Sequence, residues 1–392
     1  MSSKAPKIPP SHTAIIQHEG GTTKITTGLP LPVLAPGQVL VKTAAVALNP
    51  CDFKMPQRFQ SPGTYAGCDF AGTVVALSDE VAANGLLKMG DRVFAAVIGN
   101  NPHDKDSGAY GEYLKATAVF SWKIPDWMSF EEAAGLSGTC IATACMSLFR
   151  SLQLPGTFEE PAAKPLDVLI WGGATSVGTM MIQMAKLMGH RVISTSSPKN
   201  FDLVRSYGAD AVFDYHSPTC AADIKQATRN NLRFVVDPFS QVRTMALCDE
   251  SMGRAGGRYV ALESYQESSD RKSKLIKREL IMGQAITGRA IKLTDGYGKP
   301  DDPELGVWGI ECYKSIQRLV NERKLRPHPL KILDGGFEDV LNGLEMLKRK
   351  ELSVCWGATV GQVVVIAIIT AATAQDAHMI LAANAVLESL RN

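Results

Sequence analysis

The pattern of apolar and polar positions changes character twice along this chain. Over the first 150 or so residues the apolar runs are short, β-branched and cut by Gly and Pro. Residues 39–46 and 72–77 read as strands, the second running into the turn-rich Ser78-Asp79-Glu80, and Gly90-Asp91 opens a third over 92–97. Pro30, Pro32, Pro36, Gly37, Pro50, Pro56, Pro62 and Gly63 punctuate this region, a spacing that predicts a small irregular barrel rather than βα units. Ser129, with Glu132 three residues on, has the form of a capping box and opens a helix. A polar linker with Pro155 and Pro165 follows.

From residue 166 the texture alternates. Strands at 166–171, 191–196, 211–213, 232–237 and 257–262 are separated by helical patterns at 176–189, 199–207, 221–230 and 241–252. This rhythm predicts an α/β, doubly wound parallel sheet covered on both faces. Residues 263–336 show no clear period. A helical stripe returns at 337–349 through Val340, Leu341, Leu344 and Leu347.

Composition narrows the classes. A chain of 392 residues suggests two domains, or three. Hydrophobic residues at 45% and charged residues at 20% exclude disorder, collagen and coiled coil as the main architecture. Lys and Arg number 41 against 39 Asp and Glu, so no global field favours nucleic acid or an anionic membrane. The longest apolar run, 363–374, is short of the ~20 residues that span a bilayer. The N-terminal residues lack an apolar core of the secretory kind, and the eight cysteines form no Cys-x-x-Cys, so the expectation is a cytoplasmic protein with reduced thiols.

The strongest chemical signal is Leu169-Ile170-Trp171-Gly172-Gly173-Ala174-Thr175-Ser176-Val177-Gly178, between a strand and a helix. Glycines permit a tight turn and close approach to a pyrophosphate, Gly178 lets the helix lie close to the sheet, and the helix N-terminus favours an anion. The next strand ends in Ser194-Thr195-Ser196-Ser197-Pro198-Lys199-Asn200. It lacks the carboxylate that NAD sites use for the ribose 2′-hydroxyl, so the hydroxyls, Lys199 and Tyr215 are expected to take the 2′-phosphate of NADP(H). The alternative for Lys199 is a solvated first-turn residue.

A zinc-dependent dehydrogenase needs Cys and His ligands, yet Asn49 and Cys68 stand where a Cys and a His are wanted, and residues 100–113 hold no cysteine for a structural zinc lobe. Cys51 and Cys68 are read as buried thiols rather than a metal pair, and no metal is expected. Gly135-Leu136-Ser137-Gly138-Thr139 is one residue off a nucleophile elbow and follows a helix, which argues against a serine hydrolase.

The phosphate loop, Asn49-Pro50-Cys51-Asp52-Phe53-Lys54 and residues 66–72 resemble the zinc-free medium-chain dehydrogenase/reductases. Residues 196–203 with 212–215, 253–260, His328-Pro329-Leu330 and Gly335-Gly336-Phe337 bring the resemblance to the trans-acting enoyl reductases of fungal polyketide synthases, from about residue 10 to Ser353. It implies a GroES-like barrel (10–150, resuming at 306–353) interrupted by a Rossmann cofactor domain (160–305). It also implies NADPH-dependent reduction of an α,β-unsaturated thioester on an acyl carrier protein of a polyketide synthase or polyketide–peptide hybrid. Matching positions imply cofactor contacts at Cys51, Asp52, Phe53, Lys54, Thr175, Ser176, Val177, Gly178, Pro198, Lys199, Asn200, Phe201, Tyr215, Leu262, Glu263, Ser353 and Val354. The substrate groove would be Thr143, Ala144, Cys145, Met146, Ser147, Leu148, Phe149 and Arg150 with Gln284, Ala285, Ile286, Thr287 and Gly288.

Lys54 is the candidate to position the nicotinamide ribose or supply the proton, with a structural ion pair as its alternative. Thr143 either bonds the nicotinamide edge or is an ordinary helix residue. The basic run 271–278 is read as a solvated helix face, with carrier docking as the alternative. After Ser353 the family pattern breaks: Val354 replaces Gly, and an Ala-rich tail fills 354–392. Within it 362–369 is rich enough in β-branched residues for a strand and 375–390 could form a helix. Two other functions fit the sequence: a free-standing NADPH quinone or alkenal reductase, and a non-catalytic synthase-binding protein.

Overall fold

The computed structural model describes residues 8–265, 273–349 and 363–367. Ser353, Val354 and the stretch expected as a helix at 375–390 lie outside the described residues.

The Gly/Pro-cut first region folds as antiparallel strands. β1 (Ser11–Gln17) and β2 (Thr23–Pro30) form a ribbon. β3 (Gln38–Ala47), β4 (Asp69–Leu77), β5 (Arg92–Ala96), β6 (Tyr113–Thr117) and β7 (Trp122–Lys123) form the body of a seven-stranded sheet. Helix α1 (Pro50–Arg58) leaves β3, and α2 (Asp79–Asn84) follows β4. α3 (Phe130–Leu136) carries the expected capping box between Ser129 and Glu132, and α4 (Gly138–Cys145) runs on into a wider π turn over Met146–Ser151. Together Phe130–Ser151 is long and apolar enough to cross a membrane, but it is mostly buried in the fold and is broken at Ser137, where φ is 56°.

The second region is an all-parallel sheet. Its strands are β8 (Asp167–Ile170), β9 (Arg191–Ser196), β10 (Ala211–Asp214), β11 (Phe234–Asp237), β12 (Gly257–Ala261) and β13 (Ile276–Leu280). The intervening helices are α5 (Ser176–Leu187), α6 (Phe201–Ser206), α7 (Cys220–Ala227) and α8 (Val242–Ser251). Spatial order is β10-β9-β8-β11-β12-β13, so the winding reverses between β8 and β11. A doubly wound sheet opens its ligand crevice at that point, beyond the strands' carboxyl ends.

Residues 263–336 hold β13 and the 19-residue helix α9 (Pro303–Asn321), neither of which the sequence pattern disclosed. The basic run is not a helix face: its described part is a short turn, Ser273–Leu275, leading into the edge strand β13. There Arg278 is buried against Asp249 at 2.5 Å, while Lys274 and Lys277 face outward. β14 (Leu330–Leu333) and α10 (Gly336–Lys348) return the chain to the first sheet. The atypical tail does supply a strand, β15 (Val363–Ala367), inserted between β14 and β3. Its pairing joins β14 to β3, the strand from which α1 leaves.

Candidate active site

The turn after β8 is built for close approach. Gly172 adopts φ +68°, and its N–H donates to Thr195 Oγ1 at 3.0 Å. A Cβ on Gly173 would lie 2.1 Å from Ser194 Oγ on β9, so the turn presses directly on the neighbouring strand. Gly173 is thus the contact with the sheet; a Cβ on Gly178, expected to serve that purpose, would instead meet the carbonyl of Gly172 at 2.5 Å. Thr175 caps α5 by accepting the Gly178 N–H at 2.9 Å, and Ser176 and Val177 begin the helix. A cradle with no room for a Cβ, facing a 12-residue helix N-terminus at the switch point, fits a dinucleotide pyrophosphate.

The hydroxyl residues at the end of β9, Ser194, Thr195, Ser196 and Ser197, are all buried. Ser194 donates to the Ile170 carbonyl at 2.6 Å and Thr195 holds Gly172, so both brace the turn instead of facing a phosphate. Beyond them Pro198 and Lys199 are exposed, and Phe201 begins α6. Asn200 is buried, donating to Ser197 Oγ at 3.4 Å, with its Oδ1 unpartnered. Tyr215 is half-buried just past β10.

Across the crevice, α1 is anchored by buried carboxylates. Asn49 and Asp52 form its capping box, and Asp52 Oδ2 also accepts the Tyr110 hydroxyl at 2.6 Å. Burial pushes the Asp52 carboxyl up to about 6, despite these hydrogen bonds. Expected at the cofactor, its side chain is turned inward, 1% exposed, and serves the fold. Asp69 accepts from the Asn49 amide, the Ser137 hydroxyl and both the N–H and hydroxyl of Thr139, and burial raises its pKa against those bonds. The near-elbow serine, Ser137, is therefore a buried cap of α4, not a nucleophile.

Cys51, Asp52 and Cys68 bring their ligand atoms within 4.8 Å of one another, the two sulfurs 3.9 Å apart. These residues do not fit a catalytic zinc. Among the described residues no histidine joins the set, and Asp52 is already engaged through Oδ2 by the Asn49 N–H and the Tyr110 hydroxyl. The stretch 100–113 is tied down by Lys115, which bonds Asp104 and Asp106 at 2.6 Å each. At the mouth, Phe53 is half-buried. Lys54 pairs with Glu263, which follows Leu262 at the end of β12; both partners are partly exposed, and the ion pair bridges the two domains.

The two segments expected to form the groove do meet: α4 packs against the turn Gly283–Thr287. Much of what they contribute is core. Ala144, Cys145, Ser147 and Leu148 are fully buried and Met146, Ala285 and Ile286 nearly so, which leaves Arg150 exposed and Thr143, Phe149, Gln284 and Thr287 partly exposed. Gly288 ends the turn at φ +70°. Arg150 lies over the Trp308 ring at 5.4 Å, and Phe149 meets that ring edge-on at 6.0 Å. Trp308 was not foreseen, nor were Arg58, Ser264 and Tyr297 around Glu263. Arg58 alone had a local signal, one turn after Lys54 on the same helix face.

Comparison with known proteins agrees with this geometry. Residues 35–126 match the alcohol dehydrogenase GroES-like domain and residues 176–291 the family described as zinc-binding dehydrogenase. A trans-enoyl reductase of Pyricularia oryzae is 77% identical over 350 residues, covering 89% of this chain and 98% of its own. An enoyl reductase of Chaetomium globosum is 63% identical over 353 residues, 88% of this chain and 93% of its own. A mycobacterial structure complexed with NADPH superposes with a TM-score of 0.68 at 21% identity, over 91% of this chain and 100% of that one, a likeness of fold. A nicotinamide crevice, a GroES-like barrel and such close relatives leave one conclusion: the chain belongs to the medium-chain dehydrogenase/reductase superfamily and, within it, to the trans-enoyl reductases.

Proposed function

We propose that this enoyl reductase uses NADPH, without a metal, to saturate the α,β-double bond of a polyketide thioester held on the acyl carrier protein of a partner synthase. The observation that carries the cofactor choice is the end of β9, where no carboxylate stands, Lys199 is exposed in the turn that follows, and Tyr215 is half-buried just past the neighbouring strand β10. The carrier-bound substrate is supported by the relatives' description as trans-acting.

When bound, the nicotinamide supplies a hydride to the β-carbon, which the thioester carbonyl already activates. The chain's own residues bind, orient and protonate. The Gly172–Gly173 turn and α5 seat the pyrophosphate, and Lys199 with Tyr215 takes the 2′-phosphate. Thr143 and Gln284, partly exposed where α4 meets the turn Gly283–Thr287, line the substrate groove. Lys54, one ammonium proton of which is used by Glu263, orients the ribose or delivers the α-proton with those that remain.

NADPH and NADH titrated by fluorescence quenching test the reading. NADPH should bind at least about tenfold more tightly, and Lys199→Ala should remove most of that difference. Equal binding, or a preference for NADH, would overturn the cofactor assignment. In turnover assays, an enoyl group on a carrier protein should be reduced faster than the same group on pantetheine alone, with chelators having no effect; equal rates would favour a small-molecule reductase.

A further inference from the structure

Tyr297 lies in the loop after the groove turn, and its hydroxyl joins three elements. It donates to Glu263 Oε2 at 3.0 Å and accepts from the Ser264 N–H at 3.2 Å and from Arg58 Nη1. A phenol has one proton and two lone pairs, so every hydrogen-bonding capacity it has is engaged. The ring is buried, 5% exposed, with Phe59 edge-on at 5.8 Å and the Arg58 guanidinium 5.0 Å above it. Arg58 also donates to Ser264 Oγ at 3.3 Å. Glu263 divides its carboxylate, Oε1 to Lys54 and Oε2 to Tyr297.

We propose that Tyr297 is a positioning residue for Lys54, acting through Glu263. A half-exposed Lys–Glu pair alone has many geometries and little net stability. Here the second carboxylate oxygen is fixed by a buried phenol, itself held by Arg58 from α1, so Glu263 presents one oxygen in one place and the Lys54 ammonium follows it. Lys54 and Arg58 stand one turn apart on α1, so the two contacts lie side by side on one helix face. The inference rests on the reading of Lys54 as acting in the cofactor cleft. It adds a residue that touches neither cofactor nor substrate.

A double-mutant cycle tests it. Tyr297→Phe keeps the ring packing and removes only the hydroxyl. Lys54→Ala, Tyr297→Phe and the double variant are compared for NADPH dissociation constant by fluorescence quenching, for kcat and KM on a pantetheine thioester, and for the melting temperature of the cofactor-free protein. Tyr297→Phe should lower kcat/KM about tenfold with thioester KM unchanged, and should weaken NADPH binding, yet in the Lys54→Ala background it should change either quantity by less than about twofold. Glu263→Gln cuts the chain at its other link and should show the same non-additivity, which keeps the test available if Tyr297→Phe folds poorly. Equal losses in both backgrounds, or no loss in either, would overturn the positioning role while leaving Lys54's own role standing. A Lys54→Ala protein unchanged in both quantities would instead remove the reading of Lys54, and this inference with it.

Discussion

Asp52 supports two elements through one carboxylate oxygen, receiving the N-cap N–H of α1 and the Tyr110 hydroxyl, and it does so out of contact with water. Its pKa rises from 3.8 to about 6 on folding. Because the folded value is the higher one, the linked stability is full below about pH 4 and is lost as pH rises through about 6, a difference of about 3 kcal/mol. Asp52→Asn keeps an acceptor for Tyr110 and removes the titration. Relative to the native protein, the variant should gain stability between about pH 4.5 and pH 7 in urea unfolding; a difference independent of pH would refute the assignment. At this scale the sequence exposes residues whose chemistry is local. Lys54 and Lys199 stand out in their motifs, whereas Asp69 and Tyr297 act through partners 20 to 239 residues away on the chain and acquire meaning only when folded.

Elements were legible where one periodicity ruled. The βα rhythm from 166 to 262 matches β8 to β12 nearly strand for strand, because strands buried on both faces are plainly apolar. α9 escaped because Gly306 and Gly309 interrupt its stripe, and the fold shows why they are there: a Cβ on Gly309 would lie 2.1 Å from the Ile286 carbonyl. The glycines that blur the helix in sequence let it lie on the groove turn. β13 escaped because an edge strand carries charge, here Lys277, Arg278 and Glu279, and charge of that kind deters pairing between molecules. The phosphate turn gives the sharpest prediction at this level. Gly173→Ala must displace Ser194, which is tied to the Ile170 carbonyl, so NADPH affinity should fall by about tenfold or more; an unchanged affinity would show that the turn does not seat the cofactor.

At the scale of the molecule, two sheets of different construction face each other across a crevice, and the chain crosses between them twice. The first crossing was readable as a polar linker. The return was not, because it runs through α9 and the loop bearing Tyr297. β15 joins β14 to β3 in the first sheet, as the β-branched residues at 363–367 lead one to expect of a strand. The ion pair and the Tyr297 contacts bridge the domains at the mouth of the crevice, so the position of Lys54 depends on both halves. The most direct test follows the hydride itself, using NADPH deuterated at its transferable carbon and an α,β-unsaturated pantetheine thioester in a single turnover. The account predicts one NADPH oxidised per double bond and deuterium at the β-carbon of the saturated product. Unconsumed NADPH, or a saturated product without deuterium at that carbon, would contradict it.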